Sequence, residues 1–324
     1  MAEVYPAYTE VVLELWLITG CAFVIGLLLG SFLNVCIARL PYGESIVTPR
    51  SHCPACHHAI RWYDNIPILS WLLLRARCRD CGQKISWQYP AVEIATGLWF
   101  MTAFAHAWDA WGMDQTGQVG PWMAERLTID VIAGIATLIL GFLLIGLLVM
   151  DWQTHRLPDA FTLSGIAIGF FLVCTQAIFL GPTEDQVLLH HKAPITAAMS
   201  VEKGNVFLTG PEALLGGRLV AIVGAALLLL AIRQAYKLLR KRDGMGLGDI
   251  KLLAMIAAFL GFWPAILALF AGVLTASLYA ALLLVRGRAN RLTRLPFGSF
   301  LAAGGLFSSL FGPALLDWYT SLFR

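Results

Sequence analysis

Charge is scarce in this 324-residue chain: Asp, Glu, Lys and Arg make up 13% of it, against 58% apolar residues, and the mean hydropathy is +0.72. A soluble domain carries about 25% charged residues, so a single water-soluble core is excluded. Basic residues are missing ahead of the first apolar run, where Glu3, Glu10 and Glu14 stand instead. That excludes a cleavable signal peptide, which needs a positive leading region and a shorter apolar stretch. Internal repeats, low-complexity tracts and a strand–Gly-x-Gly–helix fingerprint are also lacking. The net charge of +3 gathers into no basic stripe, so no nucleic-acid partner is expected.

Long apolar runs are present instead, near 13–35, 91–108, 128–150, 160–180, 215–232, 252–262, 264–285 and 298–316. A hydrocarbon core of about 30 Å asks about 20 apolar residues of a helix. The expected fold is an all-α polytopic membrane protein with about eight transmembrane helices and a small cytoplasmic insert. Residues 1–35 form the first helix, 36–90 the insert, and 91–324 a transmembrane domain with an outward loop at 181–214. Trp263 and Pro264 predict an outer turn between the sixth and seventh runs, since proline starts helices but cannot continue them. Gly26 and Gly30, four apart, predict close helix packing.

Basic residues give the orientation. With the N-terminus outside, the inward segments hold seven (35–90), one (151–159), six (233–251) and four (286–297) of the 23, while Arg126, Lys192, Lys203, Arg218 and Arg324 fall outside. Both termini are therefore expected outside and the insert in the cytoplasm, with acidic membrane lipid as the partner of its basic loops. In the outward loop, His190 and His191 read as solvated.

The insert carries "CPAC" at 53–56 and "CRDC" at 78–81. Two Cys-x-x-Cys pairs at this separation predict a tetrahedral four-thiolate site, so Cys53, Cys56, Cys78 and Cys81 are expected to hold a structural Zn2+. Two disulfides or a redox pair are the alternatives, disfavoured by cytoplasmic placement and by the absence of a βαβ pattern. His52, His57 and His58 are alternative ligands. Cys21, Cys36 and Cys174, in or beside apolar runs, read as packing residues.

Two acids stand at span ends. Asp151 closes the third run in "VMDWQTHRLPD", and Asp249 opens the sixth in "GMGLGDIK". Under the expected topology both reach the cytoplasmic face, where two partly desolvated carboxylates share one proton, one serving as base and the other as acid. Taken singly, Asp249 is an N-cap with Lys251 as interfacial anchor, and Asp151 a snorkelling end charge. Gly244, Gly246 and Gly248 favour the paired reading. They keep the approach to Asp249 non-helical and bare, as backbone lining a cleft must be at membrane depth. Asp159 reads as a helix cap, Asp243 as solvated, and Glu93 and Asp130 as interfacial. No nucleophilic serine or cysteine with a supporting base is identifiable.

The stretches "GSFLNVCIARLP" (30–41), "CPACHHAIRWYDNIPILSWLLLRARCRDCGQKIS" (53–86), "YPAVE" (89–93), "MDWQTHRLPD" (150–159), "GMGLGDIKLLAMIAAFLG" (244–261) and "PFGSF" (296–300) run along nearly the whole chain. In that order they resemble the bacterial prepilin peptidases of type IV pili and type II secretion. The resemblance implies a Gly-x-Gly-Asp aspartyl protease of the bacterial inner membrane with Asp151 and Asp249 as catalytic pair. Gly244, Gly246, Gly248 and Lys251 would support the substrate cleft. It further implies prepilin or pseudopilin substrates cut after a glycine that ends a basic leader, and N-methylation of the new terminus, usually phenylalanine, with S-adenosylmethionine as donor. No donor-site residues are identified; Glu44 is a candidate partner or a solvated loop residue. Gln88 stands where a basic residue is usual and Ser299 where proline is usual, and the 181–214 loop is long. Two rival readings are a membrane scaffold with a zinc docking module and a presenilin-like protease with other substrates.

Overall fold

The structure is a computed structural model and describes residues 4–113, 123–179, 211–241, 245–287 and 295–322. Gly244, Asp243, His190 and His191 lie outside them. So does most of the loop expected at 181–214, although residues from Pro211 onward open a helix. The described residues are almost wholly helical, with isolated β-bridges and no strand. They form two compact units, Met1–Gly120 and Pro121–Arg324.

In the first unit, α1 (Val4–Arg39) packs against α3 (Gln88–Met113), with a short α2 (Leu69–Leu73) in the insert between them. The glycine pair has the expected role. A Cβ on Gly26 would lie 2.7 Å from the Gly97 Cα, and one on Gly30 2.7 Å from the Glu93 Cα. Bare backbone lets the two helices touch, and Asn34 Nδ2 adds a 3.0 Å hydrogen bond to the Tyr89 carbonyl. Because backbone and not a flexible side chain blocks the space, Gly30→Leu is expected to lower the stability of this unit by about 1–3 kcal/mol, read by thermal denaturation of the detergent-purified protein.

Glu93 is not interfacial as its place at a span start implied. It is buried, accepting a 2.8 Å hydrogen bond from the Ile68 amide and one from the Ser31 hydroxyl. Burial follows from the work it does: one carboxylate ties the insert to both helices beneath it.

The second unit comprises α4 (Met123–Thr154), α5 (Asp159–Phe179), α6 (Pro211–Arg240), α7 (Leu247–Leu260), α8 (Phe262–Val285) and α9 (Phe297–Ser321). Helix α7 is its centre, buried at every residue from Asp249 through Leu260 except Lys251 and touching all five others. Its sequence "LLAMIAAFL" is apolar on every side, the pattern of a helix enclosed by neighbours.

Six helices of the described residues are long and apolar enough to cross a membrane: Leu15–Tyr42, Leu127–Thr154, Asp159–Phe179, Leu214–Arg240, Phe262–Val285 and Phe297–Leu315. The described residues therefore do not confirm the expected eight. Helix α7 has 14 residues, about 21 Å at 1.5 Å each, and falls short of a full crossing. Helix α3 is long enough, but Glu93, Thr96, Thr102 and His106 thin its apolar run. The turn predicted at Trp263–Pro264 lies earlier, at Gly261, whose φ of 90° ends α7 and admits α8. Pro264 sits within the first turn of α8, where a missing amide hydrogen costs no helical bond.

Candidate active site and metal centre

Asp151 lies in the last turn of α4 and Asp249 in the first turn of α7. Both are acidic side chains in an apolar bundle, yet they are only 6% and 7% exposed. Leu157 packs between their supports. It fills the space a Cβ would take on Gly248, 3.1 Å away, and on Gly298, where Leu157 Cδ1 is 2.9 Å away. The chain ends that bear the two acids thus meet at one end of the bundle, as the span-end positions required.

Each carboxylate has its own donors. Oδ2 of Asp151 accepts the Ser299 amide at 2.8 Å and faces the Ser299 hydroxyl at 3.2 Å, the same hydroxyl that donates to the Leu148 carbonyl at 2.8 Å. Oδ2 of Asp249 accepts the Gly246 amide at 3.1 Å. Asp249 is therefore not the N-cap but the third helical residue, reaching back to the helix start as in a capping box. Paired buried carboxyls of this kind can move one proton between them and a bound molecule.

The glycines divide. Gly246 is extended (φ −75°, ψ 155°), as expected, but Gly248 lies inside α7, so the approach to Asp249 is not non-helical throughout. Glycine's poor helix propensity is overridden here by Leu157, which occupies the Cβ position. Gly244 is outside the described residues. Lys251 pairs with Asp159 at 2.6 Å, joining the starts of α7 and α5. Both side chains are partly exposed, so Lys251→Met is expected to cost less than about 1 kcal/mol, checked by the denaturation midpoint.

Gly298 and Ser299 were missed as site residues. They lie some 148 positions from Asp151, and nothing local in "PFGSF" points to an acid. A Cβ on Gly298 would sit 3.0 Å from both Cγ and Oδ2 of Asp151. Gly298→Ala is expected to displace that carboxyl and lower turnover about 10- to 100-fold with the helical content unchanged, measured by cleavage assay beside circular dichroism. Beyond the acids, Trp152, Tyr279 and Phe300 form a cluster with ring centroids 5.4–6.2 Å apart.

In the insert, all four sulfur atoms of Cys53, Cys56, Cys78 and Cys81 lie within 4.8 Å of one another. Cys53 and Cys81 are 3.8 Å apart, the edge of a tetrahedron with metal–sulfur bonds of about 2.3 Å. No imidazole joins this group among the described residues, which sets His52, His57 and His58 aside as ligands. The two pairs share one backbone design that the sequence did not display as a repeat. The Cys53 amide bonds the His58 carbonyl and the His57 amide the Cys53 carbonyl; the Cys78 amide bonds the Gln83 carbonyl and the Gly82 amide the Cys78 carbonyl. His57 (φ 58°) and Gly82 (φ 70°) make the left-handed step in each. The amides of Cys56 and Ala55 lower the Cys53 thiol to about 6, towards the thiolate form that a metal binds. Of the remaining cysteines Cys36 is buried, Cys174 partly so, and Cys21 exposed on its helix.

Known families match both units. The Bacterial Peptidase A24 N-terminal domain model matches residues 24–107, and the model described as Type IV leader peptidase family matches 138–281. A protein of Aeromonas hydrophila named prepilin leader peptidase/N-methyltransferase is 30% identical over 95% of this chain and 96% of its own. One of the same name from Myxococcus xanthus is 36% identical over 83% of this chain, which spans 64% of that longer relative. A type 4 prepilin-like proteins leader peptide-processing enzyme of Escherichia coli is 32% identical over 87% of this chain and 89% of its own. No solved structure matches. With two family models matched in order and relatives above 30% identity aligned over most of both chains, the chain belongs to the type IV leader peptidase family.

Proposed function

We propose that this protein is an intramembrane aspartyl endopeptidase that removes the basic leader of type IV prepilins and pseudopilins after a glycine, and then N-methylates the new terminus. Asp151 and Asp249 are its catalytic pair. The observation that carries this reading is the meeting of two buried carboxyls, from the end of α4 and the start of α7, at one end of an apolar bundle. One carboxylate takes a proton from water as it attacks the peptide carbonyl, and the other gives its proton to the departing amine. Gly246, Gly248 and Lys251 border the cleft, with Gly244 beside them in sequence.

The basic-residue distribution supports a cytoplasmic active face, a cytoplasmic insert and periplasmic termini in the bacterial inner membrane. The substrate's apolar helix then lies in the bilayer and its extended glycine region crosses the acids. Cys53, Cys56, Cys78 and Cys81 hold Zn2+ as a structural ion, since four thiolates leave no open coordination position.

The methyl donor is S-adenosylmethionine, which supplies an electrophilic methyl group. It does not fit the cavity that the first unit forms beside Leu28, Phe32 and Val35 of α1. Its lining includes Arg39 and Arg50 and no acidic residue, and a net positive sulfonium compound is repelled there. No donor-binding residue is assigned, and Glu44 stays an exposed loop residue.

The experiment that separates this reading from a presenilin-like protease uses a prepilin peptide with the glycine before the cut changed to valine. Loss of cleavage by at least about 10²-fold is expected. Equal cleavage of both peptides, or of unrelated apolar helices, contradicts it.

A further inference from the structure

We propose that the cavity at the cytoplasmic end of α1 is a binding site for the phosphodiester headgroup of an anionic phospholipid. The proposal rests on the membrane reading of α1 and not on the peptidase reading. The cavity holds about 350 Å³ and has two unlike walls. Leu28, Phe32 and Val35, one face of α1 at helical spacing, supply an apolar wall. Leu28 and Phe32 are 57% and 44% exposed, open to an acyl chain from the bilayer side. Arg39, in the last turn of α1, and Arg50, in the loop that follows, supply the other wall.

Among the described residues, neither Arg39 nor Arg50 pairs with a carboxylate. Arg39 donates from Nη1 to the Ser45 carbonyl at 2.8 Å and from Nη2 to the Pro49 carbonyl at 2.7 Å. Those bonds fix the guanidinium in place, but neutral oxygens leave its charge uncompensated. Arg79 pairs with Asp64 and Lys251 with Asp159, and neither pair involves the cavity's arginines. Glu93, the buried acid of this unit, is turned to the Ile68 amide and Ser31. Two arginines beside an apolar wall at the end of a span, one of them held by two hydrogen bonds, match a single phosphate ester that carries acyl chains, where basic residues meet anionic headgroups.

The test is native mass spectrometry of the full-length, detergent-purified protein titrated with phosphatidylglycerol and with phosphatidylcholine of the same chains. Wild type is expected to retain phosphatidylglycerol in preference. Arg50→Gln is expected to lower that occupancy about fivefold, Arg50→Lys to keep most of it, and Lys84→Gln, in the cysteine region, to change nothing. Arg39→Gln also loosens the loop it holds, so Arg50 is the deciding position. Equal binding of the two lipids, or an equal loss with Lys84→Gln, overturns the proposal. Displacement by micromolar glycerol 3-phosphate overturns it in favour of a soluble phosphate ligand, and displacement by S-adenosylmethionine gives the cavity to the methyl donor.

Discussion

Asp151→Asn and Asp249→Asn are each expected to lower leader cleavage by about 10³-fold or more, with helical content and detergent extraction unchanged. General acid–base groups contribute about 10²–10⁴ in rate each, and members of one proton-sharing pair fail together. Asparagine keeps the shape of each acid and most of its hydrogen bonds: its carbonyl oxygen can accept from Ser299 at position 151 and from Gly246 at position 249. What it removes is the titratable proton. The double mutant is therefore expected to be no worse than either single one. A rate loss below about tenfold in either single mutant, measured with purified protein and a prepilin peptide, removes that residue from the pair.

The second large effect concerns the metal. Cys53→Ser or Cys78→Ser is expected to release the ion and unfold the insert while the second unit keeps its helices. The insert between α1 and α3 has little regular structure of its own, with short helical turns at Leu40–Tyr42 and Trp62–Asn65 and a five-residue α2. Structural zinc sites of this kind contribute about 10–16 kcal/mol of apparent binding energy in small peptides, more than so small a core can replace. Elemental analysis is expected to find one zinc per wild-type chain and none in the mutants, with new proteolytic cuts confined to 40–87. A wild-type protein that lacks metal yet resists proteolysis contradicts this.

How much was legible in the sequence depended on whether the determinant was local. The four cysteines were, because a metal site of two Cys-x-x-Cys pairs is written in spacing alone. The acids were legible as span-end residues, since a charge that ends one apolar run and another that begins a later one are sent to the same face. The packing that holds them was not. Gly248 reads as a helix breaker until Leu157 is seen filling its missing Cβ, and a contact from the turn between α4 and α5 outweighs a propensity of about 1 kcal/mol. Ser299 reads only as a departure from a family pattern, yet it contacts Asp151 through both amide and hydroxyl. Glu93 reads as interfacial because its partner, the Ile68 amide, belongs to an irregular insert whose path no periodicity encodes. The span count was less legible for a related reason: all of α7 from Asp249 onward but Lys251 is buried among its neighbours, so its apolar run reflects a protein interior and not the thickness of a bilayer.

The central claim is hydrolysis of a prepilin by the Asp151–Asp249 pair, and one measurement bears on it most directly: mass spectrometry of a purified prepilin incubated with the wild-type protein and with Asp249→Asn. Wild type is expected to yield a product shortened by the leader at the glycine, and the mutant to return the substrate at its full mass. A full-length substrate after incubation with the folded wild-type protein, or the same shortened product from the mutant, would contradict it.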